Sequence, residues 1–400
     1  MLEVATHTKV FYSDDFIIRI NQGFVSIDRN INEIASFDLN GRLILYVNKD
    51  GTYKRSLENR FYKVKWIGEQ RYVKDATRDE GKDVVINAYR IVRDALDHLK
   101  TNDEDALNIL KVIASRDWEW LEKDAEKFRQ IYKWSVSLIP PDQYFSVYLT
   151  FTEGCAWNKC TFCKLYRDRP YRVRSIDEFK QHINDVKTFF GRGLEIRRTV
   201  FLGDANAINV NQETLVEALK EIKKELNRPV YSFVDAFTTP KRKNIDDLME
   251  LKREGLKRLY VGLESGSKRV LSILNKPMEV EDFVDFVTSL KDVGLSISII
   301  VIAGVGGRMF WNEHVDKTAE VISRIPLDKN DLIYISPLVK YRDIPYVRIE
   351  KELGLGELND DEILIQTKEL RNKIREVFEK INNRVFPSTI ARYDLKEFVY

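Results

Sequence analysis

The sequence predicts an α/β protein: a partial (βα)6 barrel over residues 141–340, preceded by a β-rich region (1–82) and a helical region (83–140), and followed by a short helical extension (341–400). Three observations predict it. The first 80 residues alternate β-branched and aromatic runs with Asn-Gly and Asp-Gly pairs. The next stretch has apolar residues at helical spacing. Beyond Pro140-Pro141, short apolar runs alternate with amphipathic helices, the pattern of a parallel sheet.

Each element follows from its local chemistry. Runs at 16–20, 42–47 and 52–54 have strand composition, and Asn40-Gly41 and Asp50-Gly51 beside them suit tight hairpin turns. VVINAYRIVRDALDHL and DALNILKVIASRDWEWLEKDAEKFRQIY place apolar residues three and four apart, with Asp103 as N-cap of the second helical segment. Pro140-Pro141 breaks any helix, and the main boundary is read there. Core strands are expected at 144–151, 199–202, 230–234, 258–263, 296–302 and 332–335. Helices are expected at 176–190, 212–226, 245–254, 268–290 (broken near Pro277) and 313–323, with one more at 360–382. Six strand–helix units with right-handed crossovers fit a partial barrel and also an open doubly wound sheet. Both put the active site at the carboxyl ends of the strands.

Composition narrows the function classes. Hydrophobic residues are 44% and charged residues 32%, a soluble globular balance. The net charge of +2 gives no global field for nucleic acid or an anionic membrane, which argues against nucleic acid as a partner while leaving room for a local tRNA site. The longest apolar run, VGLSISIIVIAGV at 293–305, is too short to span a bilayer and reads as a buried strand. The opening run MLEVATHTKVFYSDD does not read as a signal peptide, so a cytoplasmic location is expected.

The three cysteines, Cys155, Cys160 and Cys163, fall within nine residues, in the segment EGCAWNKCTFC directly after the first core strand. An odd, clustered set is no disulfide framework and suggests a metal or redox site in a reducing compartment. Soft thiolates select zinc, copper(I) or iron–sulfur clusters. A closed zinc site needs four ligands, and none of His7, His98, His182 and His314 is near in sequence. A distant histidine completing a Cys3His site, in a non-enzymatic zinc-binding module, is the competing reading. Three thiolates on a four-iron cluster instead leave one iron open for a small-molecule ligand.

The segment resembles the radical S-adenosylmethionine (SAM) superfamily. The usual spacing there is C-x3-C-x2-C; here it is C-x4-C-x2-C, with the typical aromatic, Phe162, before the last cysteine. FLGDAN at 201–206 looks like the superfamily's glycine-rich turn, usually GGE, that meets the SAM amino group. LYVGLESGS at 259–267 resembles the segment whose polar groups bind the ribose, and IIVIAGVGG at 299–307 resembles the strand whose backbone holds adenine. The resemblance covers about residues 144–340.

It implies a radical SAM barrel with an oxygen-sensitive [4Fe-4S] cluster on the three cysteines. It also implies SAM as cofactor, an electron donor such as ferredoxin or flavodoxin, and hydrogen abstraction from an unidentified substrate. On the SAM side it implies Phe162, Gly203, Asp204, Glu264, Ser265, Ile302 and Arg174, with Asp204 accepting from the ammonium and Glu264 from the ribose hydroxyls. With no other cysteine, no auxiliary cluster or thiol relay is expected. With no D-x-H-x-x-G signature, no cobalamin partner is expected.

Other signals bear on the substrate. Lys164, Arg167, Arg169, Arg172 and Arg174, among Tyr166 and Tyr171, suit a clamp for an anion or a solvated loop of ion pairs. Arg197-Arg198 is a weaker instance. Trp118, Trp120 and Trp134 are read as packing residues on helical segments. His314, opening a helix near the fifth core strand, is read as a helix-surface residue rather than a proton donor. The β-rich region either recognises a partner or covers the open side of the barrel.

Overall fold

The computed structural model describes residues 8–13, 15–67, 70–136, 138–395 and 399–400. His7 and the start of the opening run lie outside them. The chain divides into two units, one of residues 1–147, 182–198 and 397–400, the other of 148–181 and 199–396.

The first unit opens with an antiparallel meander of eight strands in sequence order: β1 (Lys9–Tyr12), β2 (Phe16–Ile20), β3 (Phe24–Arg29), β4 (Glu33–Asp38), β5 (Leu43–Asn48), β6 (Gly51–Arg55), β7 (Phe61–Ile67) and β8 (Gln70–Asp75). Asn40-Gly41 turns β4 into β5. Gly51, at φ 136°, pairs with Asn48 to open β6, a conformation that favours glycine. Alternation buries Phe16, Ile18 and Ile20 of β2 on one face, with Val25, Ile27, Ala35, Phe37 and Tyr46 of the neighbouring strands. The apolar stripe of α1 (Arg78–His98), including Val84, Ala88, Ile91 and Val92, joins the same core.

Helix α1 starts earlier than its apolar spacing suggests, because Thr77 and Glu80 form a capping box. In α2 (Glu104–Ala114) the Asp103 carboxylate accepts from Ala106 N–H at 3.0 Å, as its N-cap position predicts. Trp118 and Trp120 of α3 (Trp118–Ile131) pack on the sheet core, whereas Trp134 lies beyond the helix end. Buried Arg42 ties the unit together: it donates twice to Asp124 at 2.8 Å and to the Phe189 carbonyl at 2.6 Å, over the Phe189 ring at 4.3 Å. Arg197 is likewise structural, donating to the Ser146 carbonyl at 2.8 Å against the Phe190 ring.

A seven-stranded sheet forms the rest, in the order β17-β16-β15-β14-β13-β12-β9, and its pairings from β12 to β17 are all parallel. Its strands are β9 (Ser146–Thr150), β12 (Thr199–Gly203), β13 (Val230–Val234), β14 (Leu256–Glu264), β15 (Ser296–Ala303), β16 (Leu332–Pro337) and β17 (Thr389–Arg392); β10 (Thr152–Glu153) and β11 (Arg172–Val173) make a small ribbon. The helices are α4 (Ile176–Phe190), α5 (Gln212–Leu226), α6 (Ile245–Arg253), α7 (Lys268–Ile273), α8 (Val280–Asp292), α9 (Trp311–Ser323), α10 (Pro345–Glu352) and α11 (Asp360–Asn382). The fold is the expected α/β one.

The strands are buried on both faces, as parallel strands under helices must be: all five residues of β9 are buried. The seventh strand, β17, is an addition to the six expected; four residues after a proline carry too little pattern to be read as a strand. Among the described residues, no helix is long and apolar enough to cross a membrane.

Candidate active site

The expected site residues gather at the carboxyl ends of the parallel strands. The loop after β9 carries the cysteines; β12 ends at Gly203, β14 at Glu264 and β15 at Ala303, one residue past Ile302. The three thiols lie within electrostatic reach of one another: Cys160 feels Cys163 and Cys155, and Cys163 feels Cys155. Burial pushes the Cys160 thiol up to about 12 and Cys163 up to about 11, and raises Cys155. Three desolvated thiols in one loop hold thiolate charge only against a cationic centre, so the donor set suits a soft metal or iron–sulfur group. Among the described residues no three His, Cys, Asp or Glu side chains are already drawn into a coordination cluster.

The loop is held by its neighbours. Arg167 donates to the Cys163 carbonyl at 2.7 Å and the Cys160 carbonyl at 2.8 Å, and Asn158 N–H donates to the Cys155 sulfur at 3.3 Å. Thr161 is tied at 2.9 Å to the Ile273 carbonyl. Ile302, on the strand expected to hold adenine, and Phe162, expected on the SAM side, share one apolar cluster with Val270, Leu274, Val305 and Leu338.

Asp204 is buried and fully engaged. The Tyr148 hydroxyl donates to Oδ1 at 2.5 Å, and Gly154 N–H donates to Oδ2 at 2.8 Å, with Arg169 at 3.6 Å. Burial outweighs these donors and raises its pKa. A Cβ on Gly203 would stand 2.2 Å from the Tyr148 hydroxyl, so glycine is required there. Asp204 thus links β9, the turn after β12 and the residue preceding Cys155. Tyr148, its partner, carries no signal in the sequence beyond its strand position.

Glu264 sits in the left-handed region at φ 61°, at a register shift between β14 and β15 that turns the end of the strand. Such backbone costs about 1–2 kcal/mol in a non-glycine residue. Lys276 holds it: its ammonium donates to Glu264 Oε1 at 2.6 Å and to the Gly262 carbonyl at 2.5 Å, both side chains being buried. Any Cβ on Gly262 would collide with this pair. Glu264 lies within electrostatic reach of the Cys160 and Cys163 thiols. Lys276 had no sequence signal; an isolated lysine before a proline reads as a turn.

Ser265 is fully buried, its Oγ 2.8 Å from His314 Nδ1. His314 is therefore not on the helix surface, as the sequence suggested. It is fully buried, and burial pushes its pKa down to about 4, keeping it neutral. The face of α9 that carries it packs inward because Val315, Thr318 and Ala319 share it. His98 and His182 belong to the other unit.

The basic run after the cysteines is mostly paired: Lys164 pairs with Asp343, Arg169 with Asp168, Arg172 with Glu178 and Arg174 with Glu153 at 3.3 Å.

A parallel sheet with helical crossovers carries three thiols in its first carboxyl-end loop and a glycine turn and a buried acid on later strands. Residues 149–322 match the family model of the Radical SAM superfamily, and they are a radical SAM domain.

The chain is 22% identical over 266 residues to a tRNA-2-methylthio-N(6)-dimethylallyladenosine synthase of Thermosipho melanesiensis, covering 57% of this chain and 60% of that one. It is 24% identical over 214 residues to an uncharacterized methyltransferase of Pyrococcus horikoshii, covering 51% of this chain and 43% of the relative. The chain thus spans about half the length of these curated relatives. Among solved structures, coproporphyrinogen III oxidase from Escherichia coli, a radical SAM enzyme, superposes with a TM-score of 0.46 at 17% identity, over 58% of this chain and 52% of that one.

Proposed function

We propose that the chain is a radical SAM enzyme in which Cys155, Cys160 and Cys163 hold a [4Fe-4S] cluster and SAM occupies the carboxyl-end pocket beside it. When bound, the cluster and SAM supply reductive cleavage of SAM to a 5′-deoxyadenosyl radical and hydrogen abstraction from a substrate. The observation that carries this reading is the convergence of three desolvated thiols with Glu264 at one end of the parallel sheet.

The chain's own residues bind and orient. Phe162 and Ile302 offer an apolar wall for adenine, next to the β15 backbone. Glu264, fixed by Lys276, presents its carboxylate at the ribose side, and the buried Ser265, held by His314, fixes the strand end that carries it. Gly203 lets Tyr148 pack against the turn, which sets the position of Asp204. Asp204 acts through the cluster loop by holding Gly154, and Arg174 with Glu153 closes the flank of that loop. Reduced cysteines fit a cytoplasmic setting, with a ferredoxin or flavodoxin as the electron donor.

The test is anaerobic reconstitution with iron and sulfide, followed by reduction with SAM. The chain takes up iron and sulfide, turns brown and forms 5′-deoxyadenosine, whereas Cys160→Ala loses both the colour and the product. A colourless protein holding one zinc after reconstitution, or normal cleavage by Cys160→Ala, overturns the reading.

A further inference from the structure

The turn after β13 is built around one carboxylate. Asp235 Oδ1 accepts from the backbone N–H of Phe237 at 3.0 Å, Thr238 at 2.5 Å and Thr239 at 3.3 Å. Oδ2 accepts from Thr238 Oγ1 at 2.5 Å, from Asn209 Nδ2 at 3.2 Å and from Asn206 Nδ2. Six donors on one carboxylate fix residues 235–239 and leave that acid little capacity to serve any other cation. The turn also lies at the cluster loop, because Phe237 packs against Trp157, two residues after Cys155.

Two aromatic rings meet there. Phe237 packs edge-on against Trp157 of the cluster loop, with ring centroids 5.7 Å apart. Trp157 is anchored by its Nε1, which donates to the Asn275 carbonyl at 3.1 Å. Tyr171 is 40% exposed, and its hydroxyl lies within electrostatic reach of both Cys155 and the Arg242 guanidinium. Burial of apolar rings explains Trp157, but not an aromatic residue left in solvent beside a thiol loop.

Cations also lie close to these groups. Arg242 is exposed and makes one long bond, to the Asn209 carbonyl at 3.4 Å. Lys159 lies over the Trp157 ring at 5.3 Å, and Lys241 adjoins Arg242. Among the described residues none of the three has an ion-pair partner, in contrast to the paired basic run at 164–174. Among the described residues, a guanidinium without an ion-pair partner therefore lies just past the turn after β13, whereas the arginines of the run whose composition suggested a clamp are mostly paired.

We propose that Trp157, Tyr171, Phe237 and Arg242 form the substrate subsite, and that it takes a flat aromatic anion, its ring against the three aromatic side chains and its carboxylate or phosphate on Arg242. The proposal rests on the radical SAM reading for its place beside the cluster loop. Aromatic faces accept any flat ring, and guanidinium grips carboxylate or phosphate in a two-point fork, so the pair selects a ring and an anion joined in one molecule.

The experiment is calorimetric titration of the reconstituted full chain, under saturating SAM so that the adenosine site is filled. Indole-3-acetate is compared with indole and with acetate; uridine 5′-monophosphate is compared with uridine and with inorganic phosphate. At least one joined molecule is expected to bind about tenfold more tightly than either of its parts. Arg242→Gln abolishes that advantage, and Phe237→Leu weakens the joined molecule and the bare ring together. The outcome favouring one series identifies the anion as carboxylate or phosphate. No advantage for either joined molecule, or an advantage that survives Arg242→Gln, overturns the proposal. SAM is titrated first on the unaltered chain: failure there sinks the radical SAM reading, whereas SAM binding without the joined-molecule advantage sinks the subsite alone.

Discussion

Replacing Asp204 separates two roles for it. The resemblance assigns it to the SAM ammonium, whereas the structure engages both of its oxygens inside the protein. In Asp204→Ala the Tyr148 hydroxyl and the Gly154 N–H lose their acceptor. A buried polar group left unsatisfied costs about 1–3 kcal/mol, so the expected loss is about 2–6 kcal/mol. Arg169 keeps Asp168 at 2.9 Å and adds little. Asp204→Asn differs. Its carbonyl oxygen still accepts from Gly154 and its amide donates to the Tyr148 oxygen, while a neutral side chain escapes the burial that raises the carboxyl pKa. The expected loss is about 1 kcal/mol. Urea unfolding of the full chain at neutral pH, followed by circular dichroism, measures both. A cost below about 1 kcal/mol for Asp204→Ala, or equal costs for the two variants, would refute the argument. A fall in SAM affinity with unchanged stability would restore the role read from the sequence.

Three further outcomes are expected. Lys276→Met strands the buried Glu264 carboxylate and costs about 3–5 kcal/mol, most of it recovered by adding Glu264→Gln; a double variant no more stable than the single one contradicts this. His314 is held at about 4 against an unfolded value of 6.5, so the folded chain binds fewer protons between those values. Stability is therefore lost as pH falls through that window, by about 1.4 kcal/mol per unit from this group. His314→Asn flattens the slope, and parallel pH profiles for the two proteins refute the assignment. Gly266→Ala places a Cβ 2.2 Å from the Lys317 carbonyl oxygen, which is backbone. A loss of about 1–3 kcal/mol is expected, and a melting temperature equal to that of the unaltered chain would show that α9 can shift.

Much of the fold was legible because periodicity reports burial. The limits of α4, α5, β13 and α11 follow their apolar spacing, and Asp103 and Asp50-Gly51 mark a helix start and a hairpin by local chemistry alone. The strands β3, β4, β7 and β8 were harder to read, since β3 and β4 bury acids, Asp28 and Asp38, among their apolar residues and basic residues interrupt β7 and β8; β17 is too short to show a pattern. His314 was misplaced for a related reason. A histidine at a helix start has no period of its own, and only packing decides which way it faces.

By itself, the sequence determined the chemistry available: three soft ligands in one loop, no fourth cysteine, and the glycine and acid segments in the order of the radical SAM superfamily. Covalent spacing settles that much, because ligands within a few residues must share a loop. Only the tertiary structure decided which groups are already engaged and which are free. Asp204 meets Tyr148 across 56 residues, Lys276 meets Glu264, the basic run finds acids such as Asp343 elsewhere in the chain, and among the described residues Arg242 has no ion-pair partner. The physical reason is that a hydrogen bond or ion pair depends on distance in space, and residues far apart in the chain acquire that distance only when the sheet forms.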